Sequence, residues 1–184
     1  MLDPKQCILY SGGATGAEQF FGTMAEAFGI EEVNYSFDGH QIARTRGVRV
    51  LTEEELCLKD VSLSYVSRLM NRQYTNAPIF RKVLQSICWQ ISSGYEVLVV
   101  GNIQADGTVK GGTGWGAEFA KLCNKALLVF DQNQNVWFRW DKSGWVSENA
   151  PRITQRRFTA TGTRFMEDNA RKAVTALFAN SFTR

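Results

Sequence analysis

Two stretches of the chain each combine a glycine pair and small hydroxyl residues with a closing Gly-Ala-Glu. One is Ser11-Gly12-Gly13-Ala14-Thr15-Gly16-Ala17-Glu18. The other is Lys110-Gly111-Gly112-Thr113-Gly114-Trp115-Gly116-Ala117-Glu118. Each puts bare backbone at the entrance to a helix, where N–H groups and the positive helix end can receive a phosphate or carboxylate. Glycine suits such a turn because backbone must approach the anion closely and adopt positive φ. The candidate ligand contacts are Ser11, Gly12, Gly13, Thr15 and Gly16 in the first turn and Gly111, Gly112, Thr113, Gly114 and Trp115 in the second. The spacing matches neither the P-loop nor GxGxxG. One such turn often serves only a strand-to-helix connection; two of them point to anion binding.

The acids and bases around these turns are the next candidates. Glu118 is read as lying on the first turn of its helix, aimed into a cleft to bind ribose hydroxyls or assist loss of a base. Glu18 is its counterpart on the first helix, with a capping role equally open. Ser67–Lys82 gathers Asn71, Arg72, Arg81 and Lys82, a solvated face or a phosphate clamp built on arginine's bidentate fork. Arg44, Arg46 and Arg49 read as a solvated loop, and Arg164 as part of a plain strand-to-helix turn. His40 is the only histidine, and Cys7, Cys57, Cys88 and Cys123 form no CxxC pair, so neither a metal site nor a histidine-based triad is expected. Reduced, buried thiols fit a cytosolic protein.

Strands and helices alternate around these residues. Lys5–Tyr10 is a buried strand, followed by a helix that Thr15 caps and Gly29 ends. Glu31–Phe37 is a second strand. Thr52 and Glu55 make a capping box opening a helix to about Met70, and Pro78 starts another. The strand EVLVVGN leads to the second glycine turn, then a helix from about Trp115 to Cys123 and the strand Ala126–Phe130. Asn135–Ser147 forms a tryptophan-bearing hairpin. Arg157–Thr161 is a last strand, and Thr163 caps a helix ending near Phe182. The pattern predicts an α/β fold: one domain over residues 1–184, with a mostly parallel sheet, helices on both faces and a β-hairpin in the C-terminal half. Ligands of such sheets bind beyond the carboxyl ends of the strands.

Composition agrees with a globular chain. The 184 residues are 44% hydrophobic and 21% charged, which excludes disordered and collagen-like classes. No apolar run approaches the roughly 18–20 residues of a membrane span, and the N-terminus lacks a signal-peptide core. The net charge of +3 makes anionic partners plausible without demanding nucleic acid, for which the scattered basic residues form no recognisable module.

At Gly111–Glu118 the sequence resembles the PGGxGTxxE motif of the LOG (lonely guy), lysine-decarboxylase-like proteins. The turn SGGATGAE is similar to the first loop of the wider SLOG superfamily, which includes DprA-like proteins. Arg81-Lys82 stands where LOG proteins carry an Arg-Lys pair. The resemblance implies a modified Rossmann fold, often dimeric. It also implies release of a base from a nucleoside 5′-monophosphate, with Glu118 and Arg81 at the chemistry. Lys110 replaces the motif proline, and Trp115 its phosphate-contacting threonine. The expected function is therefore binding of a phosphorylated nucleoside or ADP-ribose-type nucleotide, as a sensor or sequestering protein without further cofactor. The alternatives are an N-glycosidic hydrolase and a protein-interaction module using the tryptophan hairpin.

Overall fold

The computed structural model describes residues 1–183. Within them one eight-stranded sheet runs in the order β3-β2-β1-β8-β4-β5-β6-β7. Its strands are β1 (Ile8–Ser11), β2 (Glu31–Ser36), β3 (Val48–Val50), β4 (Glu96–Gly101), β5 (Ala126–Asp131), β6 (Val136–Trp140), β7 (Trp145–Glu148) and β8 (Arg157–Gly162). Every pairing from β3 through β5 is parallel, and β5-β6-β7 continue antiparallel, with β6-β7 the expected hairpin. Central strands bury both faces, which is why β4 reads as the apolar run Val97–Val100 after Glu96.

Helices cover the two faces. α1 (Ala17–Phe28) and α6 (Asp168–Ser181) pack on one face, where Phe21, Phe158, Phe178 and Phe182 share a core with Leu98 and Val100. α3 (Asp60–Leu69), α4 (Pro78–Ser93) and α5 (Gly111–Leu122) pack on the other against Val97, Val99, Leu127 and Val129. The short α2 (Glu53–Cys57) sits at the β2-β3 side, where Leu56 joins Tyr35 and Leu51.

Local chemistry sets most boundaries. Thr52 and Glu55 exchange both capping-box hydrogen bonds at the start of α2, Pro78 occupies the first turn of α4, and Gly29 closes α1 at φ 72°. Four expectations need correction. The Thr52–Met70 segment is two helices, because Leu58 and Lys59 part α2 from α3. Val48–Val50, read as loop, is a short edge strand exposed throughout. Gly16 rather than Thr15 precedes α1, and Glu167 rather than Thr163 precedes α6. The fourth bears on function: α5 begins at Gly111, so the second glycine run is the first turn of the helix itself.

Candidate functional site

The chain runs from β1 outward to β2 and β3, then crosses to β4 and β5 on the other side, and β8 fills the gap between β1 and β4. This is a topological switch point, where parallel sheets leave a crevice at their carboxyl ends. A cavity of about 560 Å³ lies there, lined from the ends of β4 and β8 (Gly101, Gly162) and by the N-termini of α1 and α5. Lys110, Gly111, Gly112 and Thr113 form one wall, and Arg164 stands in the same cavity. No side chain caps α5, so its first N–H groups have no side-chain acceptor. A methyl group built on Gly111 would meet nothing within 4 Å, and on Gly112 only the Phe80 ring, at 3.4 Å. Gly111 holds φ at 71°, a conformation glycine adopts without strain. This turn is open toward the cavity.

The first glycine turn is closed. A Cβ on Gly12 would collide with Gln90 and Glu18; on Gly13 it would press on Arg44, and on Gly16 on the backbone of Thr163 and Arg164. The carboxylate of Glu18 fills the turn: Oε2 accepts the Ala14 N–H at 3.0 Å, and Oε1 accepts the Thr161 hydroxyl at 2.7 Å. The Gly12 N–H also faces this carboxylate. Burial raises the pKa of Glu18, and the hydrogen bonds from Thr161, Ala14 and Gly12 act against that rise. Ser11 is equally absorbed, its buried hydroxyl donating to the Ala160 carbonyl, while Thr15 is exposed. The glycines here permit protein to pack on protein.

A solved structure shares this fold. It is a "putative molybdenum carrier protein" from Syntrophus aciditrophicus SB, 13% identical, with a TM-score of 0.56 over 97% of this chain and 96% of that one. At that identity the likeness is one of fold. No family model matches the chain, and no curated protein matches it either.

Several residues singled out from the sequence lie away from the cavity lining. Glu118 sits seven residues into α5, about 10 Å down the helix rather than on its first turn. There it pairs with Lys121 at 2.7 Å, and the Lys121 ammonium stands 3.9 Å from the Trp140 ring. Arg81 pairs with Asp60 at 2.6 Å and lies over Tyr74; its pKa rises, through the Asp60 hydrogen bond above all. Lys82 pairs with Glu53. Asn71 turns the chain after α3 at φ 49°. Trp115 is buried against Tyr74, and Gly114 packs against the Val109 carbonyl.

Arg72 has a different task. Its guanidinium donates to the Gln104 side chain (2.6 Å) and the Thr108 hydroxyl (2.7 Å), with a longer bond to the Val109 carbonyl (3.4 Å). Lys121 and Trp145 both donate to the Gly107 carbonyl, at 3.3 and 2.8 Å. Together they brace the 102–110 loop that delivers Lys110 and Gly111 to the cavity.

Sequence reasoning missed much of the lining. Gln90, 1% exposed, and Asn102 present buried amide oxygens with no hydrogen-bond partner. Both residues line the cavity, with Phe80, Val83, Ile87 and Phe165 as its apolar surface. Gln90 lies on the buried face of α4, where a polar residue in an apolar stripe was the available signal. Arg164, read as belonging to a plain turn, lines the cavity, as does His40, whose ring stacks on Phe37 at 4.4 Å. Two cysteines expected to be buried, Cys57 and Cys123, are exposed. Among the described residues no cluster of three or more His, Cys, Asp or Glu could hold a metal, and no helix is long and apolar enough to cross a membrane.

Proposed function

We propose that the cavity binds a phosphorylated nucleoside or ADP-ribose-type nucleotide, with phosphate on the N-terminus of α5. The carrying observation is the coincidence, in one cavity, of an open, uncapped helix start flanked by Lys110 and Arg164 with two unpartnered buried amide oxygens. The helix end and the two cations suit an anion. The amides of Gln90 and Asn102 call for hydrogen-bond donors, because a buried polar group left unpaired costs about 1–3 kcal/mol. Ribose hydroxyls and base amino groups supply such donors, and Phe80 and Phe165 offer apolar surface to a base.

The name of the structural neighbour favours a second reading, carriage of a bare oxyanion such as molybdate. A fully deprotonated oxyanion has no donors for Gln90 and Asn102 and no use for the apolar wall, so the nucleotide fits better. The reading is one of binding rather than glycosidic hydrolysis, because Glu118 and Arg81 are committed to Lys121 and Asp60. It groups the chain with SLOG-type nucleotide-binding modules. Calorimetry with AMP, ADP-ribose, NAD, phosphate and molybdate tests it, with chromatography of the recovered nucleotide. Nucleotide should bind more tightly than either oxyanion and return intact. Failure of all three nucleotides to bind, or equal affinity for molybdate, overturns the proposal.

A further inference from the structure

The first glycine turn has the parts of an anion site and already holds an anion of its own. The Gly12 and Ala14 N–H groups and the Thr161 hydroxyl converge on the two carboxylate oxygens of Glu18, a residue 6% exposed that lines the cavity. A phosphate needs such a ring of donors. We infer that Glu18 is an internal stand-in that holds a latent second anion site closed and so limits the cavity to ligands that place phosphate on one of its two turns only. The nucleotide identity of that ligand rests on the function proposed above; the occupancy of the turn does not.

The geometry fixes what is excluded. The open turn follows β4, and the closed turn follows β1, with β8 between them. Two strand spacings separate them by about 10 Å. A ligand with two separated phosphates would bring the second toward a buried carboxylate that already holds the Ala14 N–H and the Thr161 hydroxyl. The repulsion is little screened at such depth. A ligand whose far end carries hydroxyl or amine donors meets instead a free acceptor on Gln90. Glu18 is thus a specificity-determining residue, acting through charge and occupancy.

The test uses inorganic phosphate on the full chain with amide NMR, then AMP against adenosine 3′,5′-bisphosphate. In wild type, phosphate should shift the amides of Gly111, Gly112 and Thr113 and leave Gly12 and Ala14 unmoved. Glu18→Ala should gain phosphate-dependent shifts at Gly12 and Ala14. Glu18→Gln, which keeps the shape and removes the charge, should gain them more weakly and serves should the alanine variant fail to fold. Wild type should prefer AMP to the bisphosphate by at least tenfold, and either variant should narrow that ratio. Phosphate shifts at Gly12 and Ala14 in wild type, or none in a folded variant, overturn the inference. If AMP does not bind but the variants gain those shifts, the nucleotide reading fails and the latent site stands.

Discussion

At the level of single residues, the proposed site turns on Gly112, and the latent one on Glu18. The space beside Gly112 is open except for the Phe80 ring, and its backbone is already helical. Gly112→Val should therefore abolish ligand binding by placing two methyl groups over the N–H donors. It should cost the fold on the order of 1 kcal/mol or less, since valine is the better helix former. Calorimetry beside a urea titration separates the two effects; wild-type affinity in the folded variant would move phosphate away from this turn. His40 provides a second test at this scale. Burial, with help from the Arg164 charge, lowers its pKa below the ordinary 6.5. Its contribution to stability is thus complete above pH 6.5 and is lost as pH falls through the lowered value. As the only histidine it gives one unambiguous NMR titration. The midpoint should lie below 6.5 and rise when an anion enters the cavity; a midpoint at or above 6.5 in the free protein refutes the burial argument. The sequence showed both glycine turns but not which was open. Glu18 and Glu118 occupy equivalent places in their motifs, and only the start of each helix separates them. Glu18 is the second residue of α1, whereas Glu118 is the eighth of α5.

At the scale of elements, the 102–110 loop connects the fold to the site. Arg72 on one side, with Lys121 and Trp145 on the other, holds it through Gln104, Gly107 and Thr108. Arg72→Ala should raise amide hydrogen exchange across residues 103–109 and weaken ligand binding several-fold without any contact to the ligand. Unchanged exchange in that loop would show that the brace is redundant. Arg81→Ala provides the contrast. Its ion pair with Asp60 is partly exposed, so the loss should be at most about 1 kcal/mol, with affinity unchanged. Element types were legible where periodicity was strong, as in α1, α4, β4 and β5. Boundaries were lost where geometry opposes composition. Glycines at the start of α5 read as loop because helix propensity disfavours them, yet a first turn open to a cavity tolerates them. The three residues of β3 carry no buried face, so no alternation marked them.

The whole molecule depends on a strand that comes last in sequence. Alternation of strands and helices pointed to a parallel sheet but not to β8 lying between β1 and β4, because its pairing with β1 joins residues about 150 positions apart. The insertion brings Thr161 to Glu18 and Arg164 to the cavity, so the site cannot form before the chain is nearly complete. It also makes the centre of the sheet sensitive to one side chain. Phe158 is fully buried and touches Phe178 and Phe182 of the segment that follows. Phe158→Ala should cost about 3–5 kcal/mol, a large part of the roughly 5–15 kcal/mol that holds an ordinary domain together. Phe165, at the cavity and 84% exposed, is the matched control. Phe165→Ala should leave the urea midpoint unmoved and weaken nucleotide binding, while Phe158→Ala should lower the midpoint sharply. Loss of affinity in Phe158→Ala should then track its unfolded fraction and disappear when corrected for it. If both variants shift the midpoint equally, β8 is not the keystone of the sheet, and the placement of its residues at the switch point is not what organises the cavity.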